Sequence, residues 1–349
     1  MSDRIAPNTP DGSGLRARLL EMVAGAWTTQ TLFVAAELGI ADLLAERPLR
    51  NEELAKATGA DARHLARLMR ALVSLEICNH VPDGGFELTE LGGLLRRGVP
   101  GSVRGMALHW GGQLWEMWGR LADSVRTGKN ARGSEDPSRV FASFMRDSGK
   151  AAAFNQAMVD ITEAVAQAVL RAYDFAGMAR VVDVGGGYGA LLGAVLQAYP
   201  SMGGVLVDLP PVIAGARKYL GERGVLPRCE LVEGSFFDRV PGPADACMLK
   251  SIIHDWPDDR SVDILRNCAL AVNSARGKVL LIEHVMPERI EPTPAHRRAV
   301  QGDLNMMVAT GGCERTEEEF KALLERATLK LSRIVPTDLG YCVIEAVCA

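Results

Sequence analysis

The sequence predicts an α/β protein: a mostly parallel sheet that ends in an antiparallel hairpin, preceded by a winged-helix domain. Residues 180–190 predict a buried strand, a glycine-rich turn and the start of a helix. From residue 178 onward, apolar strands alternate with helical segments, as they do in open parallel sheets. Residues 51–89 predict two short helices followed by two short strands, which is typical of a winged helix.

The pattern divides the chain into four parts. Residues 1–14 are polar and rich in Pro and Gly, which predicts a disordered tail. Residues 15–100 form the winged-helix domain, whose long first helix breaks at Gly39. Residues 101–175 are mostly helical in pattern, and residues 176–349 hold the parallel sheet.

The sheet domain shows six apolar runs after the strand at residue 180. These further strands are predicted over 204–208, 229–233, 244–250, 278–285, 329–335 and 341–347. Pro210-Pro211 opens one helix, 258–275 is a second, and the capping box Thr316-x-x-Glu319 opens a third. The short connection between the last two strands predicts an antiparallel hairpin at the edge of the sheet.

A winged helix often binds DNA, and the second helix of this one carries several arginines. Residues 1–100, however, hold 11 Lys and Arg against 13 Asp and Glu. A DNA-binding domain is usually basic, so this balance argues against a nucleic-acid partner. The apolar first helix, with Trp27 and Phe33, is better explained as a protein–protein surface.

The net charge and the placement of the cysteines and histidines limit the class of protein further. The chain has 349 residues, a net charge of −4 and seven scattered cysteines without a CxxC pair. Such cysteine usage indicates a reduced, cytoplasmic setting. We expect no signal peptide, because the N-terminus lacks an apolar core, and no membrane span. The six histidines are dispersed without HxxxH or HxH spacing, so we expect no metal site.

The most aromatic segment of the chain, residues 109–118, lies in the helical part. Trp115 and Trp118 are three residues apart and therefore share one helix face. Two interpretations stay open for this segment. It is either ordinary core packing or the wall of a pocket for a flat aromatic substrate. The candidate wall residues are Trp110, Trp115, Trp118, Phe154 and Met158.

The glycine-rich turn has two competing interpretations. Gly185-x-Gly187-x-x-Ala190 fits the fingerprint of dinucleotide-binding folds. Asp183-x-Gly185-x-Gly187-x-Gly189 fits the S-adenosylmethionine loop of methyltransferases instead. Asp183 favours the second, because a carboxylate can hold the ligand's ammonium group through water or the loop backbone, whereas it would repel a pyrophosphate.

Two further strand ends carry polar side chains that suit a ligand site. Asp208 ends the second strand, where an acid can accept hydrogen bonds from two ribose hydroxyls. Residues 248–256, Met-Leu-Lys-Ser-Ile-Ile-His-Asp-Trp, lie at the carboxyl end of the fourth strand, 244–250. Because ligands bind at the carboxyl ends of parallel strands, we expect both segments at one crevice.

With these motifs the chain resembles the plant-type O-methyltransferase family, which includes caffeate and acetylserotonin methyltransferases and bacterial relatives acting on natural products. Four pieces match in order: 183–189, 206–210, 250–256 and 311–316. The winged-helix front also matches, where the family has its dimerisation domain. The resemblance implies a Rossmann-like class I methyltransferase sheet, S-adenosylmethionine as cofactor and a homodimer.

The resemblance also assigns roles to individual residues. It implies cofactor contacts at Gly185, Gly187, Gly189, Asp208, Phe236 and Lys250. It makes His254 the general base, with Glu283 and Glu314 orienting its imidazole. Ser235 departs from the family, which usually has an acid there to contact the adenine amine; a serine hydroxyl can accept the same bond.

The chemistry of the residues agrees with this assignment. A phenol with a pKa near ~10 is a poor nucleophile at neutral pH, and histidine is the side chain best suited to remove its proton. We therefore expect a metal-independent O-methyltransferase acting on a hydroxyl of a small aromatic or conjugated natural product. Two alternatives stay open: a hydroxylation or cyclisation on the same scaffold, and a winged-helix regulator that responds to a ligand.

Overall fold

The computed structural model describes residues 12–133, 148–272 and 276–349. The chain divides into two compact units, residues 1–113 and 114–349. No helix within the described residues is both long enough and apolar enough to cross a membrane.

The first unit begins with the long helix α1 (Gly12–Glu37), which starts inside the segment that the sequence predicts to be a tail. The helical break falls at Gly39, as predicted, where φ is +68°. The later elements are α2 (Ile40–Glu46), β1 (Leu49–Arg50), α3 (Asn51–Thr58), α4 (Ala62–Ser74), β2 (Cys78–His80), β3 (Gly85–Leu88), α5 (Glu90–Gly93), α6 (Arg104–Leu108) and a π-helical turn over His109–Gln113.

These elements form the predicted winged helix with one strand more than the sequence indicates. The two-residue strand β1 pairs with β3, so that the wing is a small antiparallel sheet in the order β1-β3-β2. Leu54, Met69 and Leu72 from α3 and α4 are fully buried beside it. A strand of two residues carries too few side chains to show a period, which is why the pattern misses it.

The second unit contains the large sheet and its flanking helices. Before the sheet come α7 (Leu114–Trp118), α8 (Leu121–Thr127) and α9 (Ser148–Ala172). The sheet region comprises β4 (Arg180–Val184), α10 (Ala190–Ala198), β5 (Gly203–Asp208), α11 (Pro210–Glu222), β6 (Cys229–Glu233), β7 (Ala246–Lys250), a 3₁₀ turn (Ile253–Asp255), α12 (Asp258–Ala271), β8 (Lys278–Met286), α13 (Pro294–Ala309), β9 (Arg315–Thr316), α14 (Glu317–Arg326), β10 (Leu329–Pro336) and β11 (Tyr341–Cys348).

The sheet has eight strands, with the order β10-β11-β8-β7-β4-β5-β6 and the short β9 beside β8. Strands β4 to β8 are parallel, and β11 and β10 run antiparallel at the edge, as predicted. Val182 and Val205 pack on one face of the sheet, while Val181 and Leu206 pack on the other. Burial on both faces explains the continuous apolar runs in the sequence.

The sequence pattern misses the helix α13 entirely. Its first five residues include no large apolar side chain and are mostly exposed, and helical spacing appears only later, at Val300, Leu304 and Val308. The local signal is at its start, where Thr293 caps the helix by accepting from the His296 backbone N–H and Pro294 takes the first helical position. This helix borders the site described below.

Candidate active site

The glycine turn after β4 adopts a backbone that only glycine tolerates easily. Gly185, Gly187 and Gly189 have φ angles of +67°, +61° and +85°. A Cβ on Gly185 would lie 2.7 Å from the Ile252 side chain and 3.2 Å from the Phe236 ring. The turn therefore brings bare backbone to the carboxyl end of the sheet, as a cradle for a ligand requires.

Asp183 lies beneath this turn and is almost completely buried. One of its carboxylate oxygens accepts from the Leu192 backbone N–H at 3.3 Å. A Cβ on Gly186 would come within 2.5 Å of the carboxyl group, so the turn rests directly on it. Burial raises the pKa of Asp183 to about 7. The Asp183 side chain thus contacts the turn at Gly186 and bonds the first part of helix α10 at Leu192.

Asp208 ends β5 beside the glycine turn. Its Oδ2 accepts from the Gly187 backbone N–H at 2.8 Å, and its Oδ1 accepts from the Leu209 N–H at 2.7 Å. Burial raises the pKa of this carboxyl to about 6 despite these two bonds. Each oxygen has a second lone pair left for a ligand, so the geometry suits a pair of ribose hydroxyls.

Phe236 and Lys250 border the same turn. Phe236 is the ring closest to Gly185, and it meets Trp256 edge to face at 6.0 Å. Lys250 ends β7, with its ammonium group 5.6 Å from the centre of the Tyr341 ring. Ser235 uses its hydroxyl oxygen to accept from the Phe237 N–H at 3.2 Å. The hydroxyl hydrogen and a second lone pair stay available there.

His254 lies in the 3₁₀ turn after β7 and is 9% exposed. Its Nδ1 is 2.9 Å from Oε1 of Glu314 and 3.5 Å from Oε2 of Glu283. Both carboxylates are buried. The 2.9 Å contact is a hydrogen bond in which the imidazole N–H donates to the carboxylate, so that Nε2 is the nitrogen left to accept a proton.

The pKa values of the three groups are tightly linked. Burial opposes the imidazolium, but the charges of Glu283 and Glu314 outweigh it and raise the pKa of His254 well above 6.5. Burial raises the pKa of Glu283. Burial acts in the same direction on Glu314, yet the charge and hydrogen bond of His254 lower its pKa below the ordinary value. The cluster is therefore built to hold a proton at His254.

The helix α13 supports the carboxylate of this cluster. Asp303 accepts from the Glu314 backbone N–H at 2.9 Å. A Cβ on Gly302 would lie 3.7 Å from Oε1 of Glu314, so the helix passes close to the oxygen that bonds His254. Farther along the helix, the Asn305 amide oxygen accepts from the indole N–H of Trp118 at 3.0 Å. Sequence reasoning missed these α13 contacts because it missed the helix.

His254, Glu283 and Glu314 also satisfy one criterion for a metal site, since one ligand atom of each lies within 4.8 Å of the others. Their mutual contacts indicate a different use. Nδ1 of His254 is already engaged with Glu314, and Oε1 of Glu283 accepts from two backbone N–H groups. A hydrogen-bonded histidine between carboxylates is the arrangement of a general base.

The structure brings the predicted loop residues together after β4 and β5, and it brings His254, Glu283 and Glu314 into mutual contact after β7. The fold and the loop define a class I methyltransferase that uses S-adenosylmethionine. Residues 118–330 match the model of the O-methyltransferase domain, and residues 20–97 match that of the O-methyltransferase dimerisation domain. The chain belongs to this O-methyltransferase family, as its motifs predict.

Relatives over almost the full length support the same class. A phenazine O-methyltransferase from Lysobacter antibioticus is 41% identical and covers 95% of this chain and 96% of its own. A mitomycin biosynthesis 6-O-methyltransferase from Streptomyces lavendulae is 36% identical, with the same two coverages. The structure of human N-acetylserotonin methyltransferase with its S-adenosylmethionine has a TM-score of 0.87 at 29% identity and covers 99% of this chain and 100% of its own.

These findings make the chain an S-adenosylmethionine-dependent O-methyltransferase with a dimerisation domain at its front. None of the three relatives is named for a hydroxylation, a cyclisation or gene regulation. The comparisons therefore give no support to the two alternatives that the sequence left open.

Proposed function

We propose that the enzyme transfers a methyl group to a hydroxyl of a small aromatic natural product, with His254 as the general base. The observation that carries this proposal is the buried 2.9 Å hydrogen bond between Nδ1 of His254 and Glu314 at the edge of the cofactor loop. It holds the imidazole as the tautomer whose Nε2 accepts a proton.

The mechanism follows from this geometry. His254 takes the proton of the acceptor hydroxyl at Nε2, and the oxygen becomes a nucleophile. Glu314 and Glu283 then face an imidazolium, whose charge they stabilise. Bound S-adenosylmethionine supplies a methyl group that its sulfonium already activates, so the chain's own task is to position the acceptor and remove the proton.

The cofactor's place follows from the cradle around the glycine turn. The turn fits this group because its bare backbone and the two carboxylate oxygens of Asp208 converge there. Asp183 supports the loop from below. The remaining assigned contacts are Gly185, Gly187, Gly189, Ser235, Phe236 and Lys250, all at the carboxyl ends of β4 to β7 or in the loops that follow.

Two observations support an aromatic acceptor: a tryptophan in the helices of the second unit, and the names of the relatives. Trp118 is anchored through its indole N–H to Asn305, which leaves a rigid aromatic surface beside α13. The relatives are named for phenazine and mitomycin biosynthesis. We therefore assign the described helices α7, α8 and α9, which lie within the predicted segment 101–175, to the substrate pocket and expect a flat, conjugated acceptor.

The assembly is a homodimer in this proposal. Along α1, Leu19, Val23 and Trp27 are exposed by 64%, 69% and 76%. A row of large apolar side chains on the dimerisation domain needs a covering surface, which a second copy supplies. Light scattering at micromolar concentration should give twice the mass of one chain. A monomer, or sequence-specific DNA binding by this domain, would contradict the assignment.

The proposal is tested with His254→Ala and the matched variant His284→Ala. His284 lies in β8 directly after Glu283, where its ring packs on Tyr341 at 4.0 Å and its Nδ1 bonds the Gly340 carbonyl. Removing a general base costs about 10²–10⁴-fold in rate. We expect that loss for His254→Ala with unchanged S-adenosylhomocysteine binding, and a far smaller loss for His284→Ala.

The readout is product mass after incubation with labelled S-adenosylmethionine and a panel of acceptors. The panel contains hydroxylated phenazines, 3-amino-4-hydroxybenzoate, 1,4-dihydroxy-2-naphthoic acid and matched amines without a hydroxyl. Full activity of His254→Ala on the phenols, or methylation of the amines alone, would overturn the proposal.

A further inference from the structure

We propose that Arg315 is a positioning residue for methyl transfer: its buried guanidinium fixes the turn that carries His254 and thereby sets the place of the imidazole. The inference rests on the proposed function, because it assumes that His254 is the base. Arg315 follows Glu314 directly in the chain, yet its side chain serves the backbone of the turn rather than the imidazole.

Arg315 donates hydrogen bonds to the backbone on both sides of His254. Its side chain is 2% exposed, among the largest fully buried side chains of the described residues. Nη1 donates to the Ile253 carbonyl at 3.0 Å, and Nη2 donates to the Trp256 carbonyl at 2.9 Å. These carbonyls belong to the residue before His254 and to the second residue after it, so one rigid fork spans the turn.

The opposite end of the turn is held by Glu283. Its Oε1 accepts from the Ile252 and Ile253 backbone N–H groups, both at 2.9 Å. A 3₁₀ segment of three residues has few internal hydrogen bonds and leaves its end groups unpaired. Glu283 satisfies the N–H end and Arg315 satisfies the carbonyl end, so external side chains decide the shape of this turn.

Glu314 and Arg315 are adjacent in the chain and serve different parts of the same turn. Arg315 begins the short strand β9, where it pairs in parallel with Val285 in β8, and Glu314 directly precedes that strand. Glu314 bonds the His254 ring, while Arg315 reaches the peptide groups around it. Just before them, Gly312 packs so closely that a Cβ there would lie 2.0 Å from the His254 carbonyl oxygen.

The guanidinium of Arg315 is buried, so its charge needs a partner. A buried charge is costly unless it is paired and fully hydrogen-bonded. Asp258 supplies the pairing, accepting from Nε at 3.1 Å and from Nη2 at 2.8 Å. The Ser261 hydroxyl is directed at the same two carbonyls, at 3.3 Å from Ile253 O and 3.2 Å from Trp256 O.

The test uses Arg315→Lys in the full chain. Lysine keeps the charge but is a point donor that cannot bridge two carbonyls as the fork does. Small displacements of a catalytic group cost up to about 10²-fold in rate. We expect kcat on an ordinary phenol to fall by roughly 10–100-fold while S-adenosylhomocysteine affinity and acceptor KM stay unchanged. The loss should shrink on a nitro-substituted analogue, whose acidic hydroxyl needs no base.

Arg326→Met is the matched control. Arg326 is 3.8 Å from the other carboxylate oxygen of Asp258, and it also pairs with Asp259. None of its described contacts reaches the carbonyls of the His254 turn. Its loss should leave kcat unchanged on both acceptors.

Ser261→Ala keeps the proposal testable if Arg315→Lys does not fold. Removing this weaker second donor should lower kcat by about 2–10-fold, again less on the acidic acceptor. An equal loss on both acceptors, or no loss in either variant, would overturn the role of Arg315. His254→Ala in the same assay separates the two proposals. If this variant keeps the full rate, the proposed function fails. If it loses activity while the Arg315 and Ser261 variants keep theirs, only the role of Arg315 is refuted.

Discussion

The cofactor side and the base side of the site are built in opposite ways. On the cofactor side, the five consecutive residues 185–189 form the turn after β4, and Asp208 from the next strand bonds its backbone. On the base side, a single histidine lies between the carboxylates of Glu283 and Glu314, which are 29 and 60 positions away in the chain. One side relies on backbone conformation and the other on buried polar side chains.

Because of this difference, substitutions on the two sides should affect different quantities, cofactor binding on one side and rate on the other. Changes in the glycine turn or in Asp208 alter the surface that we propose holds the cofactor, so they should act on cofactor binding. Changes around His254 alter the basicity and place of one imidazole, so they should act on rate.

The largest effect on the cofactor side is expected for Asp208→Ala. The variant leaves the Gly187 N–H and two ribose hydroxyls without a charged acceptor, which should cost about 1.5–3 kcal/mol of binding free energy. Calorimetric titration with S-adenosylhomocysteine measures it. Glu230→Ala is the control, because this acid on the neighbouring strand pairs with Arg180 at the opposite edge of the sheet. Equal affinities for both variants would contradict the assignment.

The two sides also differ in how far the sequence predicts them. The glycine turn is predictable because its φ angles depend on residues that are adjacent in the chain. His254, Glu283 and Glu314 were assigned through a family resemblance, since no local pattern places three distant segments together. The structure adds Arg315, whose role no spacing indicates, because its partners are backbone carbonyls rather than side chains.

The helices and strands also differ in how well the sequence predicts them. Strands β4 to β8 were predicted within two residues of their observed ends, and for β4, β5, β7 and β8 the reason is burial on both faces, which makes continuous apolar runs. The helix α13 was missed because its first five residues include no large apolar side chain and are mostly exposed, although Val300, Leu304 and Val308 recur at helical spacing further along. Sequence periodicity reports burial, so a helix that borders a polar site gives a weak signal.

On the base side, Glu314→Gln should slow methyl transfer without weakening cofactor binding. The amide keeps an acceptor at the same place but replaces a charge-assisted bond with a neutral one, a difference of about 1–1.5 kcal/mol or roughly tenfold in rate. Glu283→Gln should cost less, because its oxygen is 3.5 Å from Nδ1 instead of 2.9 Å. Steady-state kinetics beside S-adenosylhomocysteine titration measure both. Weaker cofactor binding with unchanged kcat would break the separation.

The pH dependence of the wild type is a smaller effect with a definite sign. The neutral imidazole accepts the proton, so kcat should rise with pH as His254 loses its own proton. Because Glu283 and Glu314 outweigh burial and raise the pKa of His254, the midpoint should lie above the ordinary value of about 6.5. In Glu314→Gln one carboxylate charge is lost, so the midpoint should move to lower pH. A midpoint that stays in place would show that another group controls the profile.

The smallest expected effect is that of a chelator. Since His254 and Glu314 bond each other and Glu283 bonds the backbone, prolonged dialysis against EDTA should leave kcat unchanged. Rates before and after dialysis, and after adding back Mg²⁺ or Zn²⁺, provide the measurement. A loss that a metal restores would assign the three side chains to an ion.

The central claim, that His254 removes the proton of the acceptor, is tested most directly by acceptor acidity. The rates of the wild type and of His254→Ala are measured on one acceptor scaffold whose hydroxyl pKa is lowered stepwise by ring substituents. The account predicts a gap of about 10²-fold or more on the least acidic acceptor that closes as the hydroxyl ionises by itself. A gap that stays constant across the series would contradict it, because His254 would then contribute something other than base catalysis.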